Sequence, residues 1–506
     1  MSRVRNYLHA IWSGYLLTIV IALFNLLTIP IGLAALGKPG YGLWCAVMQL
    51  AVFTNVFDLG MGPSMARFFT DYKENTDKRA YADFVKSLFV VGLIQAALFS
   101  VVVLAIISYL PGLMGIAAEQ HRQFKILLLL QFATSAVSFP LRPLNQLLFS
   151  HQQIARVNGC YIVATLVNAA VLVSTLKLGW GIYSYIAANW IAFVVNQSGL
   201  LFYVLRLGLL PNLREARVSL TLLKPLAAFS SNVFMTSLGT QLINIAPGLL
   251  ITRKLGVQAL ADWTVGTRLV LFVAQLIGRI PSASEPVFWE MFARQELARV
   301  RQRLLELVLL AGSAAALFGG SIAAINVPVV AFWMAARVQW FTATDIVLVL
   351  WVLVSIAAVV FNIVPGTTKH LGSMKFVYLL EGGIMVGLAY APFVHFQAYW
   401  QVALALLVFE CLFRFPYGLW RTWRDLAIPA RVLANALGRT FGVAALLLCV
   451  AVLLRNTTGH WTQITQIAIN GLIYCLVALP VVYYVSLPLE PRERILQATL
   501  RRLQWR

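Results

Sequence analysis

Six ionisable side chains lie within or at the ends of long apolar segments, where a charge is costly and is usually retained for a function. They are Asp58, Arg142, Arg268, Glu381, Glu410 and Arg414. A guanidinium presents five N–H donors in one plane and suits a phosphate or diphosphate. A carboxylate in such a place can take up a proton or a cation. These residue types therefore favour anion binding and ion exchange.

Arg268 lies well inside an apolar segment that begins near Ala259. An arginine at the centre of a membrane span costs at least ~2.5–3.5 kcal/mol. We therefore predict that Arg268 binds an anionic group in a cavity. The alternative is a buried ion pair, with Asp262 or Asp58 as the partner.

Arg142 lies between Pro140 and Pro143, near the end of another apolar segment. The prolines predict a break in the helix there. Arg142 is accordingly a second candidate for anion binding, at the entrance to a cavity. The alternative is that its long side chain extends to the lipid headgroups.

The three acidic side chains are alternative sites for a coupling proton or Na⁺. Glu410 and Arg414 are four residues apart, which places them on one helical face and predicts an ion pair. Glu381 has no partner nearby in the sequence, and Asp58 closes an apolar run. The sequence alone does not choose among Asp58, Glu381 and Glu410.

Composition shows which elements must position these residues. Of 506 residues, 60% are hydrophobic and only 11% are charged, and the mean hydropathy is +0.81. A soluble protein carries about 25% charged residues. The sequence therefore predicts an all-α polytopic membrane protein. We predict fourteen spans, near Ile11–Leu36, Leu43–Ala66, Phe84–Leu110, Phe124–Phe149, Asn158–Leu176, Ile182–Leu205, Leu226–Ile251, Ala259–Ile280, Leu304–Asn326, Asp345–Val364, Phe376–Phe396, Tyr399–Tyr417, Ala434–Leu454 and Ile464–Leu487.

The distribution of positive charge predicts the orientation of these spans. With the N-terminus in the cytoplasm, 30 Lys and Arg residues lie on the cytoplasmic side and 8 on the other. This asymmetry is the one expected of cytoplasmic loops. It predicts that both termini are cytoplasmic, and it explains the net charge of +21 by membrane topology rather than by nucleic-acid binding.

Landmark residues repeat at offsets of 217 to 220, which predicts two copies of a six-helix unit in parallel orientation. The pairs are Pro30 and Pro247, Pro63 and Pro281, Pro111 and Pro328, His151 and His370, and Trp180 and Trp400. We predict an N-lobe over residues 1–210 (helices 1–6) and a C-lobe over 211–425 (helices 7–12). Residues 426–506 add helices 13 and 14 and a basic cytoplasmic tail.

Several functional classes are disfavoured by what the sequence lacks. The five cysteines have neither metal-ligand nor redox spacing, and no nucleotide-binding motif or nucleophile triad appears. We predict no cofactor and no metal. The loops are short, and the segment from Pro281 to Arg303 predicts an interfacial helix. With no room for a soluble catalytic domain, we predict that the chain is not an enzyme.

The stretch from Phe57 to Phe69 combines a carboxylate with helix-breaking residues near the membrane surface. Gly60, Gly62 and Pro63 predict that the second span bends or ends here, with Arg67 at the headgroups. Together with Gly40-Tyr41-Gly42-Leu43-Trp44, this stretch resembles the first hairpin of bacterial polysaccharide export proteins. Those are the O-antigen and exopolysaccharide flippases of the multidrug/oligosaccharidyl-lipid/polysaccharide exporter (MOP) superfamily.

The resemblance implies two six-helix lobes around a central cavity, and a flippase for a polyprenyl-diphosphate-linked oligosaccharide. Implied partners are this glycan, membrane lipids and a glycan polymerase or ligase; the implied location is the bacterial cytoplasmic (inner) membrane, for lipopolysaccharide or exopolysaccharide assembly. Flippases of the peptidoglycan precursor carry cavity arginines on their first, second and eighth spans, of which only the eighth is matched here, by Arg268. The alternatives are an ion-coupled multidrug exporter of the same superfamily and a scaffold for glycan-assembly enzymes.

Overall fold

Long apolar runs fold into helices because a helix satisfies its own backbone N–H and C=O groups, as a lipid environment requires. The computed structural model describes residues 3–58, 61, 65, 68–69, 78–367 and 373–486. Within these residues the chain forms helices and turns, with no strand. The predicted all-α class is confirmed.

The first compact unit covers residues 1–261. Its helices are α1 (Arg3–Ala51), α2 (Lys78–Ile106), α3 (Leu110–Met114), α4 (His121–Ser150), α5 (Ile154–Lys177), α6 (Tyr183–Arg206) and α7 (Leu220–Leu255). A 3₁₀ turn, Val52–Asn55, follows α1 directly. The helix α2 packs against α4, α5 packs against both α6 and α1, and α7 contacts α1, α2 and α3.

The second compact unit covers residues 262–506. The helix α8 (Val257–Gly266) crosses the boundary between the units. The other helices are α9 (Arg268–Ala293), α10 (Leu297–Trp333), α11 (Thr342–Thr367), α12 (Met374–Tyr390), α13 (Tyr399–Leu412), α14 (Arg414–Leu426), α15 (Ala430–Thr458) and α16 (Gln463–Val481). The central helix is α10, which packs against α9, α11, α15 and α16, while α11 also packs against α13 and α14.

In the described part of the chain, 11 helices are long and apolar enough to cross a membrane, and the bent pair α8 and α9 would be a twelfth. The 49 residues of α1 include a break at Gly37, whose φ of 66° favours glycine and which falls between the first two predicted spans. The short helix α12, of 17 residues, coincides with most of the eleventh predicted span. The multi-pass architecture is thus confirmed, and the count of fourteen agrees roughly with it.

The structure corrects two local predictions. The segment from Pro281 to Arg303 forms no separate interfacial helix: α9 continues through Pro281 to Ala293, and α10 begins at Leu297. Likewise, α4 runs without a break through Pro140 and Pro143. Prolines are tolerated inside membrane helices because neighbouring groups compensate for the missing donor. The boundaries of the predicted lobes, by contrast, remain a prediction.

Candidate functional site

In the first unit, the structure brings together two of the predicted site residues. Arg142 on α4 forms an ion pair with Asp58, and each side chain is about 20% exposed. The guanidinium carbon of Arg142 lies 4.3 Å from the centroid of the Phe139 ring, in cation–π geometry. The pair is therefore held on one side by an aromatic face and remains partly accessible on the other.

Gln95 on α2 fixes the backbone that carries Asp58. Its side-chain Nε2 donates to the carbonyl oxygens of Phe57 and Asp58, at 3.2 and 3.4 Å. These carbonyls follow the 3₁₀ turn, and that of Asp58 also accepts from the backbone N–H of Met61 at 2.9 Å. Because Gln95 is buried, it adds a donor to both carbonyls away from water.

Gly92, one turn before Gln95, sets the distance between α2 and α4. A Cβ atom at Gly92 would lie 2.6 Å from Pro140 Cα and 2.7 Å from the carbonyl oxygen of Phe139. Both contacts are with backbone, so neither can be relieved by a side-chain rotation. The close approach of the two helices, and with it the position of Arg142, therefore requires glycine.

We expect Gly92→Ala to lower the free energy of unfolding by about 1–3 kcal/mol, the usual cost of overpacking. Gly159→Ala on α5 is the matched control, because a Cβ there would meet nothing within 4 Å. The control should be neutral, or stabilising by up to about 1 kcal/mol, because alanine favours helix. Thermal unfolding of the two purified variants in detergent measures the difference. Equal unfolding temperatures would contradict the close approach.

In the second unit, a single arginine joins the two predicted glutamates. The Nε of Arg414 donates to both carboxylate oxygens of Glu381, at 3.1 Å each, and its Nη2 donates to Glu410. Glu381 is 1% exposed, Glu410 0% and Arg414 13%. The predicted pair of Glu410 and Arg414 is present, and Glu381 is its third member. We call these three residues the carboxylate triad.

The triad lies where α13 gives way to α14, because the helix is interrupted at Phe413. The helix α13 ends at Leu412, Phe413 leaves the helical conformation with φ −117° and ψ −81°, and α14 begins at Arg414. The side-chain amide of Asn362 on α11 donates to the carbonyl oxygen of Arg414, at 3.3 Å. Arg414 is thus the first residue of a new helix, tied to α11 by its backbone and to α12 and α13 by its guanidinium.

Arg268 also begins a helix after a break. The axis bends by 47° between α8 and α9, around Thr267. Arg268 is half-buried. The N-terminal end of a helix carries a partial positive charge, which adds to the charge of the guanidinium. The arrangement suits a negatively charged group.

The end of α8 is fixed by a buried polar network around Asp345. One carboxylate oxygen of Asp345 accepts from Asn326 Nδ2 and Trp340 Nε1, both at 2.7 Å, and the same Asn326 amide donates to the carbonyl oxygen of Gly266 at 3.0 Å. The indole of Trp340 covers Gly266 so closely that a Cβ there would clash with it. This network holds the residue from which the bend starts.

Sequence reasoning missed the role of Asp345. It stands at the start of an apolar segment, where the sequence pattern predicts only a span boundary. A single acidic residue beside Trp340 and Phe341 was the available signal. Its partners lie 5 and 19 residues away, and nothing in the pattern indicates that pairing.

The two carboxylates proposed as partners of Arg268 also have contacts of their own. Asp58 pairs with Arg142, and Asp262 accepts from the hydroxyl of Tyr399 at 3.2 Å. Gly60, Gly62, Pro63 and Arg67 lie outside the described residues. Among the residues that are described, no group of three or more His, Cys, Asp and Glu side chains could hold a metal ion.

Comparison with protein-family models identifies the chain. The model of the polysaccharide biosynthesis protein family matches residues 10–292, more than half of the sequence. The chain belongs to this family. The resemblance predicted from the first hairpin is therefore confirmed. A search of curated protein sequences finds no match.

Solved structures with the same fold come from the MOP superfamily. The lipid II flippase MurJ, in an inward closed conformation, has a TM-score of 0.67 at 13% identity, over 94% of this chain and 99% of MurJ. An inward-facing multidrug resistance transporter of the MATE family has a TM-score of 0.66 at 15% identity, over 80% of this chain and 95% of its own. A MOP superfamily transporter from Pyrococcus furiosus has a TM-score of 0.53 at 15% identity, over 83% of this chain and 96% of its own. This family member thus has the MOP-superfamily fold.

Proposed function

We propose that this protein is a flippase that moves a polyprenyl-diphosphate-linked oligosaccharide across the bacterial cytoplasmic membrane. Alternating access of two lobes around a central cavity would expose the glycan first to the cytoplasm and then to the outer side. The product serves the assembly of lipopolysaccharide or exopolysaccharide, with a glycan polymerase or ligase as the next partner. Both termini are proposed to be cytoplasmic, on the charge asymmetry of the loops.

The position of Arg268 at a broken span is the observation that carries this proposal. Broken membrane helices in transporters direct the positive end of a half-helix at anionic substrate groups. Here the half-helix α9 begins with an arginine, which adds a planar set of donors suited to a diphosphate. The membership in a polysaccharide biosynthesis family supports a lipid-linked glycan as the molecule that carries this diphosphate.

Arg142 is proposed as a second contact for the diphosphate. It is partly exposed and is neutralised by Asp58 in this structure. An anion can bind there only if Arg142 exchanges the carboxylate for it or shares its donors between the two. The ion pair of Arg142 and Asp58 would then be weaker when the substrate is bound than when it is absent.

A multidrug exporter is the second candidate, because a MATE transporter shares this fold at nearly the same TM-score as MurJ. An arginine at the bend of α8 and α9 repels cationic drugs and so counts against this function. A scaffold without transport would not need a charge at such depth. These alternatives predict different results in the following experiment.

We expect cells that lack the protein to accumulate one lipid-linked glycan, because the polyprenyl carrier cannot cross the bilayer with its sugar unaided. Mass spectrometry of extracted polyprenyl-diphosphate glycans measures the accumulation, and a plasmid copy of the wild-type chain should clear it. The control is drug susceptibility of the same strains, which should not change. Unchanged glycan pools with increased drug susceptibility would instead establish a drug exporter.

A further inference from the structure

We infer that the carboxylate triad of Glu381, Arg414 and Glu410 binds one exchangeable proton, carried on Glu410, and that this proton couples the transport cycle to the pH gradient. The coupling rests on the proposed function, whereas proton binding does not. The inference starts from the charges: two carboxylates face one guanidinium, which leaves a net charge of −1 when both are ionised. A buried net charge is costly, and one proton removes it.

Hydrogen bonding distinguishes the two glutamates. Both oxygens of Glu381 accept from Arg414 Nε. Glu410 has one oxygen on Arg414 Nη2, and its other oxygen, Oε1, is buried without a well-aligned hydrogen bond among the described residues, beside the side chains of Ser355 and Trp351. An unpartnered carboxylate oxygen in a dry site is expensive. A proton on Oε1 converts it into a hydroxyl that can donate to the hydroxyl oxygen of Ser355 and can still accept from the indole N–H of Trp351, both on α11.

Among the described residues, Arg414 is the one cation recorded beside Glu410. The groups around it come from four helices: Trp351 and Ser355 on α11, Tyr378 and Glu381 on α12, Cys411 on α13, and Arg414 on α14. Arg414 is the one cation in this set, and Glu381 already shares it. The remaining members are neutral side chains.

The site suits a proton better than a metal ion. A bound Na⁺ needs several oxygen ligands around it, whereas the triad offers one unpartnered oxygen. The guanidinium of Arg414 stands against the same two carboxylates and would repel a metal cation. A proton needs only one oxygen and no coordination sphere.

Because the helix is interrupted at Phe413, binding of the proton can change the angle between α13 and α14. With Glu410 ionised, Arg414 is held by two carboxylates, one on α12 and one on α13. With Glu410 protonated, the attraction of Arg414 to α13 is weakened while its contact with Glu381 on α12 persists. Phe413 separates α13 from α14, so α14 can turn relative to α13 without breaking a helix. Binding and release of the proton at Oε1 would bias this hinge between two positions.

Infrared difference spectroscopy of the purified full-length protein tests proton binding without any substrate. We expect the wild type to show a carboxylic-acid carbonyl band that appears and disappears with pH, and Glu410→Gln to lose it. Ser355→Ala should shift the band, because the carbonyl frequency depends on hydrogen bonding and Ser355 lies beside Glu410. Asp58→Asn, in the first unit, should leave the band unchanged. A band that survives in Glu410→Gln, or is absent from the wild type, overturns the inference.

Transport in liposomes tests the coupling. Liposomes that contain the wild-type protein and the accumulated lipid-linked glycan should move the glycan faster when a pH gradient is imposed, and Glu410→Gln should lose this acceleration. If the infrared band behaves as expected but the gradient has no effect on the wild type, the proton does not couple transport. If no glycan accumulates in cells, the proposed function fails, and the infrared result still decides whether Glu410 binds a proton.

Discussion

Arg414→Leu should lower the free energy of unfolding by about 3–5 kcal/mol, the range observed when one partner of a buried ion pair is removed. Arg414 is the shared cation of two glutamates that are 1% and 0% exposed. Without it, two like charges face each other in a low-dielectric site. The loss should be smaller at acidic pH, because protons can then replace the guanidinium. Thermal unfolding in detergent at two pH values measures both effects.

Arg424→Leu on the same helix is the matched control for this prediction. Arg424 is 52% exposed and bonds Asp425 at 2.9 Å, and exposed pairs contribute only about 0–1 kcal/mol. The triple variant Arg414→Leu, Glu381→Gln, Glu410→Gln should regain most of the lost stability, because no charge is left in the site. If the single and triple variants were equally unstable, packing rather than charge would explain the effect of Arg414.

The spans were predictable because hydropathy and helix are coupled in membranes. Every long apolar run in the described sequence became a helix, with ends within a few residues for α4, α5 and α6. Helix breaks were predictable only in part. Pro140 and Pro143 cause no break because a membrane helix can accommodate a proline, whereas Pro416, three residues after Phe413, lacks the N–H that would bond the carbonyl oxygen of Leu412 and so accompanies the break there.

The site residues were predictable by type, and their partners only where the spacing was local. Glu410 and Arg414 are four residues apart, so a helix brings them together. Arg142 and Asp58 are separated by 84 residues, and Arg414 and Glu381 by 33. Those pairs depend on which helices pack together, and a single sequence contains no direct record of that packing. The predicted repeat concerns the order of helices and not the contacts of individual side chains.

Arg268→Ala should reduce clearance of the lipid-linked glycan by about tenfold to a hundredfold, which corresponds to the loss of about 1.5–3 kcal/mol of charge-assisted hydrogen bonding. The physical reason is that Arg268 supplies both the charge and the donors at the start of α9. Arg268→Lys should restore part of the activity, since lysine keeps the charge without the planar pair of donors. Mass spectrometry of the accumulated glycan in complemented cells provides the measurement.

Two control variants separate anion binding from a structural role. Arg279→Ala removes an exposed arginine from the same helix and should clear glycan as the wild type does. Asp262→Asn tests the alternative in which Arg268 is a structural partner of that carboxylate. If Arg268 binds the diphosphate, Asp262→Asn should retain most activity. If the two formed a buried pair, removing either would leave the other uncompensated, and both variants would lose stability together.

Equal clearance by Arg268→Ala and wild type, at equal amounts of inserted protein, would remove Arg268 from the path of the substrate and favour the scaffold.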